Sequence, residues 1–317
     1  MSTIDDIAKS SGLDDLYPLF ERERYTAGWH KKRRSLWKQP ATEFRPLHWS
    51  YREAHAALDR ASLWIDTELA ERRNLLMFNP VGDNDYDTVR TLVCAYQLIQ
   101  PGEHARAHKH TPNALRLVLD AGPELFTVVD GVKLPMVPGD VLLTPGGCWH
   151  SHYNDGKETA CWIDFLDVPL VHRLEPMFYT EHPDTYQTVE QTPQAHPFWF
   201  KRAEIDAALA QATPDTAGIR RHVLDSQEHI LTMELTCMAL PAGATLGPVR
   251  DTVNRIYAAT KGSGSFRSGD TEFRWQRGDV FAAPAWARHE ITTDEDSDLF
   301  EVCDKPVMEK LGFLIAE

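Results

Sequence analysis

The sequence predicts a mainly β protein built from two copies of one antiparallel β-domain behind a helical N-terminal extension. Three observations carry that reading. From about Thr91 the chain breaks into short runs rich in Val, Leu, Thr and aromatics, separated by Pro-Gly, Asp-Gly and Gly-Gly: TLVCAYQLI, LFTVVDG, PMVPGD, VLLTPGG and TACWIDFL. Runs of this length and spacing read as strands of a sandwich or barrel, because βαβ units would set helical segments between them. The same texture returns in HILTMELTCMALPAG, NRIYAATKGSGSF, TEFRWQRGDVFAAPAWARHEI and SDLFEVCDKPV. Finally, the two stretches share a phrase. PMVPGDVLLTPGGCWH matches RWQRGDVFAAPAWARH, with Gly-Asp-Val, a later Pro and a terminal His at equal offsets. That is an internal duplication at a period far longer than a solenoid repeat.

Taken in order, residues 1–85 read as helices and loops. Ser50-Tyr51-Arg52-Glu53 spells a capping box ahead of the helical run AHAALDRAS, the serine capping the backbone and the glutamate reaching back. Residues 86–175 form the first β-domain, and 176–225 a connector with a short helix at EIDAALAQA. Residues 226–317 form the second β-domain.

Composition bounds the function. A formal net charge of −14 over 317 residues argues against nucleic acid or an anionic membrane surface as the main partner. In so acidic a chain, the run from His30 to Arg34 reads as a solvated basic face or a subunit contact. The five cysteines form no CxxC pair and look like reduced thiols. The start, MSTIDDIAKSSGLDD, lacks the basic and apolar regions of a signal peptide. No window approaches the roughly 18 apolar residues of a membrane span. A cytoplasmic protein is expected.

The histidines carry the chemistry. His108 and His110 are separated by one residue in a strand-like stretch, so period-two geometry puts both imidazoles on one face. Alone, an HxH pair says little. Here Gly102 precedes it at the spacing G-x5-H-x-H, and His150 lies in the string G-x5-P-x-G-x2-H-x3-N that runs from Gly139 to Asn154. These strings resemble the paired cupin motifs, which imply a small barrel whose inward positions aim three nitrogens at one point. Cupins usually carry a glutamate four or five residues after the second His; this chain has Ala114 and Leu115 there. Three neutral imidazoles leave a divalent ion its full charge and open faces for a chelating anion and a diatomic. In the second copy, Val249 and Asp251 stand where the HxH pair would be and His289 alone remains. That copy is expected to hold no metal and to play a structural part.

Read together, ELAERRNLLMFNP, LIQPGEHARAHKH, PGDVLLTPGGCWHSHYN, WIDFLDVPL and CDKPVMEKLG closely resemble the gentisate, salicylate and 1-hydroxy-2-naphthoate 1,2-dioxygenases over about three quarters of the chain. The resemblance implies a bicupin with one Fe(II) in the first domain. It also implies O2 as co-substrate and cleavage of a hydroxybenzoate ring between its carboxyl- and hydroxyl-bearing carbons. By position, His108, His110 and His150 match the iron ligands. His152 matches a histidine that bonds the ring hydroxyl, and Gln97 a pocket glutamine. Arg116 matches the arginine that pairs with the substrate carboxylate, Arg72 or Arg73 a further pocket arginine, and Asp164 an acid at the far end of the pocket. Where the family shows a Trp, a Gly and a Gly, this chain has Val93, Ala95 and Phe165. Those three changes make salicylates, including nitro- or chloro-substituted ones, as strong a substrate expectation as gentisate. A homotetramer or dimer is implied, with Trp29, Trp37 and Trp49 as a contact.

Plainer readings stand beside these. His152 and Gln97 could serve barrel structure, Arg116 and Arg72 could be solvated, and Asp164 could cap a loop. Other three-His cupins are isomerases, decarboxylases or dione dioxygenases, which anaerobic turnover or failure to bind ortho-hydroxy acids would reveal. A non-catalytic binding protein would need a metal-free site.

Overall fold

The computed structural model describes residues 3–31, 35–70 and 73–317. Lys32, Arg33 and Arg34 of the basic run, and Arg72, lie outside the described residues. The chain divides into a unit Met1–Ala41, which carries α1 (Thr3–Ala8) and α2 (Leu13–Arg22), and a unit Thr42–Glu317. In the latter, β1 (Leu47–Trp49), α3 (Tyr51–Ala61), α4 (Thr67–Ala70) and β2 (Arg73–Leu76) come first. The first domain follows with β3 (Val93–Ile99), β4 (His104–His110), β5 (Ala114–Asp120), β6 (Leu125–Val129) and β7 (Val132–Pro135). It continues with β8 (Val141–Thr144), β9 (His150–Asn154), β10 (Ala160–Leu166), α5 (Val168–Leu174) and β11 (Tyr179–Glu181). Then come β12 (Trp199–Phe200), α6 (Arg202–Gln211) and β13 (Arg220–Val223). The second domain holds β14 (Glu234–Leu240), β15 (Thr245–Val249), β16 (Arg255–Lys261), β17 (Ser263–Ser268) and β18 (Thr271–Gln276). It ends with β19 (Val280–Ala283), β20 (His289–Thr293), β21 (Ser297–Cys303) and α7 (Lys305–Lys310).

Each domain is a pair of sheets. The first has the orders β12-β8-β5-β10-β3-β2 and β11-β4-β9-β6-β7; the second has β1-β19-β16-β21-β14-β13 and β15-β20-β17-β18. Strand alternation sorts their side chains into layers. Inside the first domain, Val118, Leu142 and Trp162 of one sheet meet Leu125 and Leu134 of the other. Inside the second, Tyr257, Phe281 and Leu299 meet Leu246, Phe266 and Ile291. The outer faces of the two larger sheets pack on one another. Cys94, Tyr96, Leu115, Leu117, Ile163 and Phe165 there join Leu235, Ile256, Ala258, Val280, Phe300 and Val302 in the main core. A two-sheet domain repeated twice behind helices is the architecture that the cupin resemblance implies. No helix among the described residues is long and apolar enough to cross a membrane.

The duplicated Gly-Asp-Val phrase has a physical cause, which lies outside the domain that carries it. β12 pairs with β8 of the first domain, and β1 pairs with β19 of the second. The helices after these strands start with N–H groups that have no partner in the helix. Asp140 takes the Arg202 N–H at 2.8 Å and the Trp199 indole N–H at 2.7 Å. Asp279 takes the Tyr51 N–H at 2.9 Å and lies 2.8 Å from the His48 ring. The glycines make room: a Cβ on Gly278 would meet the Tyr51 ring at 2.4 Å, and one on Gly139 would meet Arg202 at 2.9 Å. Each domain therefore receives a strand–helix arm from the segment preceding the other. Trp49 belongs to this arm and packs on the main core. The serine half of the expected capping box forms, Ser50 accepting from the Glu53 N–H.

A second duplicated device crosses the junction. Asp167, just before α5, accepts from the Asn113 N–H and side-chain amide, both at 2.8 Å, and from the Thr232 hydroxyl at 2.5 Å. Asp304, just before α7, accepts from the Asn254 N–H and amide, both at 2.8 Å, and from the Thr91 hydroxyl at 2.6 Å. Each domain thus lends a threonine to the other's aspartate.

Candidate metal centre and pocket

A bulge brings three histidines together. β4 and β9 pair with His104 opposite Tyr153 and Ala105 opposite His152, after which the register shifts to set His108 opposite His150. A bulge re-aims side chains without ending a strand. One ligand nitrogen from each of His108, His110 and His150 lies within 4.8 Å of the others. The ring of His150 is 4.2 Å from that of His108 and 4.9 Å from that of His110. His108 and His150 are buried, and His110 is half-buried.

Backbone carbonyls orient all three rings. His108 Nδ1 lies 3.3 Å from the Arg106 carbonyl, His110 Nδ1 2.9 Å from that of Pro112, and His150 Nδ1 3.2 Å from that of Cys148. A carbonyl only accepts, so the proton sits on Nδ1 and the Nε2 lone pair faces the centre. Such an all-imidazole set suits a first-row divalent ion, iron(II) among them. No carboxylate joins the group among the described residues.

The wall beside this centre is made by β3, β10 and β5, whose partners form rows. Ala95, Asp164 and Arg116 make one row; Gln97, Trp162 and Val118 make the next. Because cross-strand partners share a face, both rows look into the domain. Val93, opposite Leu166, continues that face toward the strand end. Arg116 and Asp164 are both 1% exposed, with Arg116 Nε 3.3 Å from Asp164 Oδ1. The Trp162 indole N–H donates to the same oxygen at 2.9 Å, and Arg116 donates to the Thr144 hydroxyl. His152 is fully buried, its ring 5.5 Å from Trp162 and 6.1 Å from His150.

One sequence expectation fails on the parity of a strand, and one of two alternatives for another is set aside on the same ground. Phe165 follows Asp164 and so points the other way: it lies in the main core, 5.8 Å from the Phe300 ring. Arg73 pairs in register with Leu98, whose side chain faces that same core. Its guanidinium grips Glu103 through two bonds of 2.6 Å. Arg72, the other expected pocket arginine, is outside the described residues.

Three residues near the centre escaped the sequence reading. Trp162 and Thr144 hold the Arg116–Asp164 pair. Tyr179 on β11 pairs with His110 and stacks on the His108 ring at 5.2 Å, while remaining 55% exposed. Trp162 lies in a continuous apolar stretch buried on both faces, which does not tell one face from the other; nothing local marks Tyr179.

The second domain keeps one histidine of this arrangement. His289 Nδ1 lies 2.9 Å from the Ala287 carbonyl, as in the triad, but its Nε2 faces the Tyr257 hydroxyl at 3.3 Å. Burial pushes its pKa down to about 4. Asp251, at the second HxH position, clasps Arg255 at 2.6 and 2.7 Å, and Glu301 adds a contact at 3.1 Å. A guanidinium is thus the cation at this end of the second domain.

Comparison with known proteins agrees with this geometry. The cupin domain family matches residues 95–168. A 5-aminosalicylate 1,2-dioxygenase from Comamonas sp is 32% identical over 95% of this chain and 88% of its own length. A gentisate 1,2-dioxygenase from Ralstonia sp is 30% identical, covering 86% and 85%. The salicylate 1,2-dioxygenase from Pseudaminobacter salicylatoxidans superposes with a TM-score of 0.88 over 98% of both chains at 23% identity, a likeness of fold. Sequence likeness that spans nearly the whole of both chains, joined to a three-histidine centre in the first of two cupin domains, has one consequence: the chain belongs to the gentisate, salicylate and 1-hydroxy-2-naphthoate 1,2-dioxygenase family.

Proposed function

We propose that this chain is an Fe(II)-dependent dioxygenase that opens the ring of a salicylate- or gentisate-type hydroxybenzoate between its carboxyl- and hydroxyl-bearing carbons. The observation that carries the reading is the buried Arg116 on the wall beside three convergent imidazoles. His108, His110 and His150 would hold the iron. Bound there, it would supply Lewis acidity toward the hydroxy acid and a path for electrons between the ring and triplet O2.

Charge supports a dianionic chelator. Three neutral imidazoles add nothing to a divalent ion, and Asp164 cancels Arg116. A carboxylate with an ionised ortho-hydroxyl brings two negative charges to a site whose net charge with iron is two positive, which limits the cost of burying either. Arg116, held by Asp164 and Thr144, receives the carboxylate; its planar fork fixes the ring's orientation. His152 accepts the hydroxyl proton and holds it within the buried site. Gln97 sits on the same wall and would face the substrate or oxygen bound there. Both atoms of O2 enter the product, a ring-opened oxo-diacid, so no external reductant is needed.

Ala95 adds a methyl in the row of Asp164 and Arg116, and Val93 leaves an aliphatic surface at the strand end. Both depart from the family pattern, so salicylate and its 5-amino, 5-nitro and 5-chloro derivatives are expected to be used at least as well as gentisate. The test is oxygen uptake by the Fe(II)-loaded protein with gentisate, salicylate and 5-amino-, 5-nitro- and 5-chlorosalicylate. Consumption of none of them sinks the dioxygenase reading, and a clear preference for gentisate sinks the assignment to Ala95 and Val93. The reading also carries a cytoplasmic homotetramer or dimer. Trp29 and Trp37, 70% and 69% exposed, are candidate contacts, and light scattering of the full chain reports the state.

A further inference from the structure

We infer that Thr232, a residue of the second domain, is a positioning residue for the metal centre of the first. The inference rests on the iron reading above. Its physical basis is a short relay of bonds around Asn113. The Thr232 hydroxyl donates to Asp167 Oδ2 at 2.5 Å and accepts from the Asn113 amide at 3.1 Å. Asp167 in turn holds Asn113 by its backbone N–H and its amide, both at 2.8 Å. The Asn113 side-chain oxygen then accepts the Gly146 N–H at 2.9 Å.

Asn113 therefore joins the two ligand-bearing turns. On one side it follows Pro112, whose carbonyl orients the His110 ring at 2.9 Å. On the other, Gly146 opens the turn that leads to His150, and the neighbouring Gly147 N–H donates to the His110 carbonyl at 2.8 Å. The turn has little slack, since a Cβ on Gly146 would meet the Thr111 carbonyl oxygen at 2.2 Å. Fixing Asn113 fixes the spacing of His110 and His150 together. Groups that orient ligands from behind govern metal affinity nearly as strongly as the ligands do.

The molecule supplies its own control. Around Asp304 the same relay is built in mirror fashion, from the Thr91 hydroxyl through Asp304 and Asn254 to the Ala285 N–H at 3.1 Å. There it ends at the second domain, beside Asp251 and His289. A latch that serves only to join the domains predicts equal consequences at the two threonines. A positioning role for Thr232 predicts unequal ones.

The experiment compares Thr232→Val, Thr91→Val and Thr232→Ser with the wild-type full chain, each loaded anaerobically with Fe(II). Loss of iron to an excess of a colorimetric chelator is timed, and the visible ligand-field band of Co(II)-loaded protein reports ligand geometry. Expected is roughly ten-fold faster iron loss and a displaced cobalt band in Thr232→Val alone, with both restored in Thr232→Ser. Both valine variants are expected to lose thermal stability. Equal iron loss in the two valine variants, or wild-type retention in both, overturns the inference. Wild-type protein that fails to retain iron overturns the three-histidine reading itself. Thr232→Ala, which needs no extra room, gives the same comparison if the valine is not accommodated.

Discussion

Arg116 and Asp164 sit where neither charge can hydrate, so each depends on the other. Replacing Arg116 with Ala leaves a buried carboxylate without its counter-charge, at a cost of about 3–5 kcal/mol of stability that denaturant titration would read. Arg116→Lys keeps the charge and loses the fork. It is expected to lower kcat/KM by roughly 10- to 100-fold, the worth of one charge-assisted hydrogen bond, and a wild-type value would remove Arg116 from the carboxylate site. His289 gives a pH signature. Its pKa falls from an ordinary 6.5 to about 4 in the fold, so the unfolded chain takes up the proton first as pH drops. The stability it contributes is complete above about pH 6.5 and is lost between there and pH 4, on the order of 3 kcal/mol in all. His289→Gln should flatten that limb of the stability curve; a limb as steep as wild type contradicts the assignment. The triad was legible because its glycine, proline and asparagine spacings are local facts about two strands. Phe165 was misjudged because one step along a strand reverses the face, and the resemblance that named it carried no parity. Thr144 and Tyr179 were illegible for another reason: they act across strands whose pairing no local pattern declares.

At the level of elements, the turns matter more than the strands they join. Gly146 is the tightest point of the β8–β9 turn, because the Thr111 carbonyl occupies the place of a side chain. Gly146→Ala must push the His110 and His150 segments apart. Purified variant protein is expected to hold well under one iron per chain by colorimetric assay, and full occupancy would show that the turn can yield. The Gly-Asp-Val repeat illustrates what element-level reading sees and misses. Its recurrence announced a duplication, and the runs around it announced strands. Its purpose could not be read locally, because Asp140 and Asp279 cap helices that belong to segments before the other domain. The segments read as an N-terminal extension and a connector in fact carry matched arms, His48-Trp49 with Tyr51 in one and Trp199-Phe200 with Arg202 in the other. Their side chains differ enough to hide the match.

For the whole molecule, the decisive surface is the one between the two larger sheets. Phe165 and Phe300 meet there at 5.8 Å, in a core to which both domains contribute. A shared core couples the domains, so chemical unfolding should be one transition in which loss of tertiary circular dichroism and release of iron coincide. Phe300→Ala should cost about 3–5 kcal/mol while iron stoichiometry stays at the wild-type value; iron loss at the same time would mean that the junction reaches the metal more directly than the Asn113 relay describes. Removing iron with a chelator should lower the melting temperature, since a ligand held by the native state alone stabilises it.

The exchanged arms also set a timetable. His48 finds Asp279 across 231 residues, and a ribosome adding about 5–20 residues per second needs roughly 10 to 50 s to cover that distance. Throughout that interval the first arm, with Trp49 at its centre, has been made and has nowhere to dock, while the second arm can settle on Asp140 as soon as it emerges. Newly made chains therefore spend their most vulnerable period with one apolar strand waiting, and that strand is where a nascent-chain chaperone would be most needed.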